Sequence, residues 1–139
     1  MKSKTPLALI EMSVMVLIFA LAAAVCVRTF VRADRISNHC ADRDRAVAAV
    51  ENAAETIKYC RGDLEQASLI LEGSTDGKEL FVEYGPDWAA VPENGQFRLV
   101  VTETEGSGEL LGTAGVRVVR TEDGTELFAV RTAWQKAAD

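Results

Sequence analysis

One histidine, three cysteines and twenty-one carboxylates are the groups in this chain that could carry reaction or metal chemistry. Their spacing disperses them. His39 stands beside Cys40, but adjacent residues of a helix point about 100° apart, so the pair makes no metal site and His39 reads as a solvated polar residue. The C-terminal half holds no histidine, so no Ser/His/Asp arrangement can be assembled there. Cys40 and Cys60 are twenty residues apart, roughly 30 Å of rise on one helix, which no disulfide spans. An intermolecular bridge through Cys40 or Cys60 stays open. Glu103, Glu105 and Glu109 read as solvated glutamates at strand edges, where they discourage edge-to-edge pairing. Gly106, Gly108, Gly112 and Gly115 read as a mobile connection and not a phosphate loop, because no Lys-Ser/Thr and helix follow them. No catalytic, metal or cofactor-binding residue is assigned, no cofactor is expected, and the chain reads as something other than an enzyme.

The most informative carboxylate is Glu11, because of where it stands. From Leu7 to Val27 run twenty-one residues whose only strongly polar members are Glu11 and Ser13. At 1.5 Å per residue this run matches a bilayer core of roughly 30 Å. An ionised carboxylate in such a helix costs a few kcal/mol unless it is paired, neutralised or able to reach the interface. Two compensations suit it: snorkelling or pairing with Lys4 one turn or two below, or contact with another protein's helix. Ala20 and Ala24 supply a small-xxx-small pair in the same run, the spacing that lets membrane helices approach closely.

The elements that would position these residues follow from glycine and proline. All ten glycines lie between Gly62 and Gly124, and proline is absent from Leu7 to Gly85. A long stretch without helix breakers can stay helical, so the first 61 residues read as one rod, with Thr5 as N-cap and Pro6 at the first helical position. Beyond the apolar run, Ile36, Cys40, Arg43, Val47, Val50, Ala54 and Ile57 recur at spacings of four and three, one stripe of a helix. Val47, Val50, Ala54 and Ile57 are expected to pack on a sheet that would otherwise have a thin core. Gly62 ends the rod, and Leu64 to Leu71 suggests a short further helix. Strands are expected at Leu80–Tyr84, Phe97–Thr104, Val116–Thr121 and Glu126–Ala133, with a tight hairpin at Asp123-Gly124. Trp88 and Trp134 read as core. The resulting organisation is a basic leader-like segment at 1–6, a transmembrane helix at 7–27, its soluble continuation at 28–61 and a small β-rich head at 62–139. The fold class is α+β, a long N-terminal helix on a small antiparallel sheet.

The residues Lys2-Ser3-Lys4-Thr5-Pro6, followed by Leu7-Ala8-Leu9-Ile10-Glu11-Met12 and a Val, Met, Leu and Ala-rich helix, resemble the N-terminal segment of type IV prepilins and the pseudopilins of type II secretion. The resemblance covers about the first thirty residues. It implies cleavage between Pro6 and Leu7 by a prepilin peptidase and a methylated amine at the new terminus. It also implies a register-setting role for Glu11, fifth from Leu7, against a neighbouring pilin-like subunit. In the family glycine normally stands where this chain has Pro6, and phenylalanine is common where it has Leu7. If the leader is retained, Lys4 replaces the amine as the partner of Glu11. The resemblance further implies a cytoplasmic N-terminus and an extracytoplasmic head, carried by a structural subunit of the minor-pilin kind in a type IV pilus or type II secretion-like pseudopilus with its assembly machinery.

Charge limits the partners. The formal net charge is −6, and residues 62–139 hold six basic against fifteen acidic groups. Nucleic-acid affinity comes largely from basic groups that displace counterions, so no nucleic-acid partner is expected. Lys2 and Lys4 face Arg28, Arg32 and Arg35 across the apolar run, and this count does not decide orientation. Two other readings remain beside the assembly subunit: a single-pass anchored extracytoplasmic module that binds an unknown ligand, and a domain secreted after cleavage at the Ala22-Ala23-Ala24 signal-like site.

Overall fold

The computed structural model describes residues 5–104 and 110–136. Helix α1 runs Thr5–Tyr59, followed by α2 (Leu64–Ile70) and strands β1 (Ser74–Thr75), β2 (Glu79–Tyr84), β3 (Ala90–Val91), β4 (Phe97–Glu103), β5 (Leu111–Arg120) and β6 (Glu126–Gln135). The fold is α+β, with the long helix packed on a small antiparallel sheet. Two compact units divide between Cys40 and Ala41.

In the first unit every described side chain is exposed, including Leu7 at 76% and Phe30 at 81%. The helix is held here by its own backbone ladder. Its polar side chains turn inward on that ladder, Ser13 Oγ donating to the Leu9 carbonyl and Thr29 Oγ1 to that of Val25, both at 2.9 Å.

In the second unit α1 acquires a buried side. Ala46, Val50, Ala53, Ala54, Ile57 and Cys60 are buried in one cluster with the inner face of the sheet. The stripe differs from expectation: Ile36, Cys40 and Arg43 are exposed, Val47 is half-buried, and Ala46 takes the central position. Spacings of four, three, four and three from Ala46 to Cys60 keep these residues on one helix face, and the small Ala46 and Ala53 allow close approach. The helix stops at Tyr59, Arg61 and Gly62 both adopt left-handed φ (53° and 86°), and the Gly62 N–H donates to the Ile57 carbonyl at 3.0 Å. Asp63 then caps α2, its carboxylate accepting from the Glu65 and Gln66 N–H groups.

The sheet has strand order β1-β2-β4-β5-β6, with β3 also pairing β2, and every pairing is antiparallel. Cross-strand register builds two inner rows, Leu80–Val101–Val116 and Val82–Leu99–Val118, all fully or nearly fully buried. Burial of each such side chain stabilises by about 1.5–3 kcal/mol. The four expected strands are present and longer at β5 and β6; β1 and β3, two residues each, are additional.

Three sequence expectations are corrected here. Gly112 and Gly115 lie inside β5 and not in a mobile connection, while Gly106 and Gly108 lie outside the described residues. A Cβ at Gly112 would fall 2.3 Å from the Trp134 ring, and one at Gly62 would do the same, so these two glycines form a slot for the indole. The β5–β6 turn is not a two-residue hairpin: Arg120 and Thr125 close a loop of Thr121–Gly124, and of Asp123-Gly124 only Gly124 takes positive φ (68°). Trp134 is core at 7% exposure. Trp88 is half-buried, stacked on Phe97 with ring centroids 4.3 Å apart.

Candidate functional site

The apolar segment of α1 is the candidate site, since it is long and apolar enough to cross a membrane and none of its most apolar window is buried. The feature is one of length and composition. Thr5 is the first helical residue, so Pro6 sits in the first turn, where its missing N–H is no loss. Lys2, Ser3 and Lys4 lie outside the described residues, and with them the expected Lys4 partner of Glu11.

Glu11 is exposed, and among the described residues it has no ion-pair or hydrogen-bond partner. Ala20 and Ala24 are exposed as well. Helical periodicity separates these candidates into two groups. Leu7 and Glu11 lie one turn apart on one face, whereas Ala20, nine residues beyond Glu11, lies about 180° around the helix from it. Glu11 and Ala20 therefore lie on opposite faces of the helix.

Of the cysteines, Cys26 and Cys40 are exposed and Cys60 is buried. Burial, helped by the nearby Asp63 carboxylate, pushes the Cys60 thiol above its ordinary range. Of the two cysteines at which an intermolecular bridge was left open, Cys60 is thus buried and Cys40 exposed. His39 is exposed on the helix, and among the described residues no three His, Cys, Asp or Glu side chains converge as a metal site would require. Glu103 is exposed at the end of β4; Glu105 and Glu109 lie outside the described residues.

The head contributes one further arrangement that the sequence did not reveal. On the outer face of β2 and β4, Glu83 accepts from Arg98 Nη2 at 2.6 Å and from the Gly95 N–H at 2.7 Å. The Gly95 N–H and then the Arg98 guanidinium hold the Glu83 carboxyl below its ordinary range. The pair borders a cleft of about 510 Å³ floored by Phe81, Val91 and Pro92. Its signal was the antiparallel register that sets Glu83 opposite Arg98, which alternation alone does not supply. At the same end of the strands, Arg120, opposite Phe97, pairs with Asp42 of α1 at 3.4 Å and with Asp123 at 3.6 Å, tying the β5–β6 turn to the helix.

The site and fold thus define an α+β chain with, among the described residues, one candidate membrane helix near its N-terminus. Comparison with protein-family models, with curated proteins and with solved structures finds no match.

Proposed function

We propose that this protein is a structural subunit of a type IV pilus or type II secretion-like pseudopilus, held in the membrane by α1 and carrying its acidic head outside the cytoplasm. One observation carries the reading: a carboxylate, Glu11, with no partner among the described residues, on the exposed face of an otherwise apolar membrane-length segment whose helix continues into a packed head. A charge so placed needs an external partner, and in an assembly of like helices that partner is a neighbouring subunit's N-terminal region. The opposed placement of Ala20 and Ala24 supports the same reading, because a subunit within a filament has neighbours on more than one side. The function is assembly and not catalysis, and prepilin peptidase is the expected processing partner.

The Glu11→Ala variant tests this. Loss of co-purification with other pilin-like proteins, with the head still folded and the chain still in the membrane fraction, is the expected outcome. An unchanged partner set would leave a lone anchored module. That second reading is favoured by the cleft beside Glu83 and Arg98, and it makes ligand capture by the head, with no partner helix, the function. Sequencing the N-terminus of the native chain from membranes checks processing separately, a start at Leu7 being expected.

A further inference from the structure

Arg28, Arg32 and Arg35 begin at the residue after the apolar run ends and are spaced by four and three, which aligns them on one face of α1. All three are exposed, and among the described residues none enters an ion pair or hydrogen bond. Their positions one turn up and down the helix hold no carboxylate: each arginine's neighbours there are other arginines, Ala24, Val25, Thr29, Val31, Ile36, Asn38 and His39. The one acidic residue nearby, Asp34, lies about 120°, 160° and 100° around the helix from Arg28, Arg32 and Arg35 and is approached by the Asn38 amide at 3.4 Å. Like charges at such spacing destabilise a helix, so the chain maintains a stripe of uncompensated positive charge at one fixed place.

That place matches the phosphate layer of a bilayer. With Val27 at the edge of the hydrocarbon, Arg28 to Arg35 extend from roughly 1.5 to 12 Å beyond it, against a headgroup layer roughly 5–8 Å deep on each side. Side chains of a helix lean toward its N-terminus, which here means back toward the lipid, so the guanidinium groups reach deeper than their Cα atoms. Guanidinium binds phosphate with paired N–H donors. Phe30, 81% exposed, adds an aromatic ring at the same depth, the kind of residue that settles at a membrane interface. His39, roughly 18 Å beyond Val27, falls outside the layer.

We infer that the Arg28, Arg32 and Arg35 stripe is a binding site for anionic phospholipid headgroups in the leaflet on the head side of the span. The inference rests on α1 crossing the bilayer and not on assembly with other subunits. Its consequence is a preference for acidic lipid around this end of the helix, set by charge and weakened by salt.

The test reconstitutes the full chain into vesicles of phosphatidylcholine with a minority of phosphatidylglycerol, then measures the ratio of the two lipids retained with the protein after gentle solubilisation. Each arginine near an anionic surface is worth about fivefold in attraction, so an enrichment of phosphatidylglycerol on the order of tenfold or more over the bulk ratio is expected. The R28Q/R32Q/R35Q variant is expected to return to the bulk ratio and the triple lysine variant to keep most of the enrichment, all with an unchanged melting temperature of the head. A bulk ratio for the native chain overturns the proposal, as does undiminished enrichment in the glutamine variant. Abolition by inorganic phosphate, but not by chloride of equal ionic strength, would overturn it in favour of a free-anion site. Loss of self-association in the glutamine variant without lipid enrichment would overturn it in favour of a second copy's carboxylates. A chain stripped from the vesicles by alkaline carbonate would remove the membrane-spanning reading and this inference together, whereas a retained chain without enrichment would remove this inference alone.

Discussion

Two stretches of α1 use similar apolar residues to opposite ends. Between Leu7 and Val27 leucine, isoleucine, valine and alanine surround the helix on every side and none is buried. Between Ala46 and Cys60 the apolar residues Ala46, Val50, Ala53, Ala54, Ile57 and Cys60 share one side and are buried to the last few per cent, while Glu51, Glu55 and Lys58 stay exposed. The difference teaches that hydrophobic content does not tell where a helix goes; its angular distribution does. An apolar surface on all sides has no inner sheet large enough to cover it and requires a surrounding apolar medium, whereas a stripe needs only one partner layer.

The sharpest way to break this contrast is to place a charge in each stretch. Ile57→Asp puts an unpaired carboxylate at a position of 0% exposure, and a loss of more than about 4 kcal/mol is expected, enough to abolish cooperative melting of the head. Ile18→Asp, in the apolar run, should leave the head's melting temperature unchanged and reduce membrane retention. Equal effects of the two on the head would show that the stretches are not separate in kind. A smaller loss is expected at the slot: Gly112→Ala forces a Cβ to within 2.3 Å of the Trp134 ring, at a cost of about 1–3 kcal/mol, visible as a lower melting temperature and altered tryptophan fluorescence.

The smallest effect belongs to pH. Glu83 has its carboxyl lowered first by the Gly95 N–H and then by Arg98. A folded-state value below the unfolded one contributes stability that is complete above the unfolded value, near 4.3, and is lost as pH falls through the lowered folded one. The native head should therefore lose stability below about pH 4 more steeply than Glu83→Gln, which lacks the titrating group. Parallel melting curves for the two in acid would refute this role. The N-terminal helix, measured by membrane retention over the same range, gives the control.

The fold was legible where one physical cause dominated. Absence of Gly and Pro marked α1, and alternation marked β2, β4, β5 and β6. Two-residue strands carry no alternation, so β1 and β3 exist only through their pairing with β2. Val47 drew the stripe toward itself because valine is more hydrophobic than alanine, yet helix phase puts Ala46 under the sheet. Gly112 and Gly115 read as breakers because glycine usually marks turns; Gly112 is in a strand because Trp134 needs the space that a side chain would fill. Of the candidate site, Glu11 was legible as an anomaly in an apolar run, because a carboxylate stands out among aliphatic side chains. The Glu83–Arg98 pair was illegible for a different reason: it depends on register across fifteen residues of separation.

The slot formed by Gly62 and Gly112 around Trp134 also sets how the head would bear a load. Tension drawn through α1 arrives at the corner after Tyr59, where the indole of the last strand is wedged against the helix exit and against β5. Pull would thereby be handed to the longest pair of strands, joined by nine residue pairs from Leu111 opposite Gln135 to Val119 opposite Glu126. The indole acts as a rivet at the point of entry, so the head would resist tension on α1 by strand shear and not by peeling from its weakest edge.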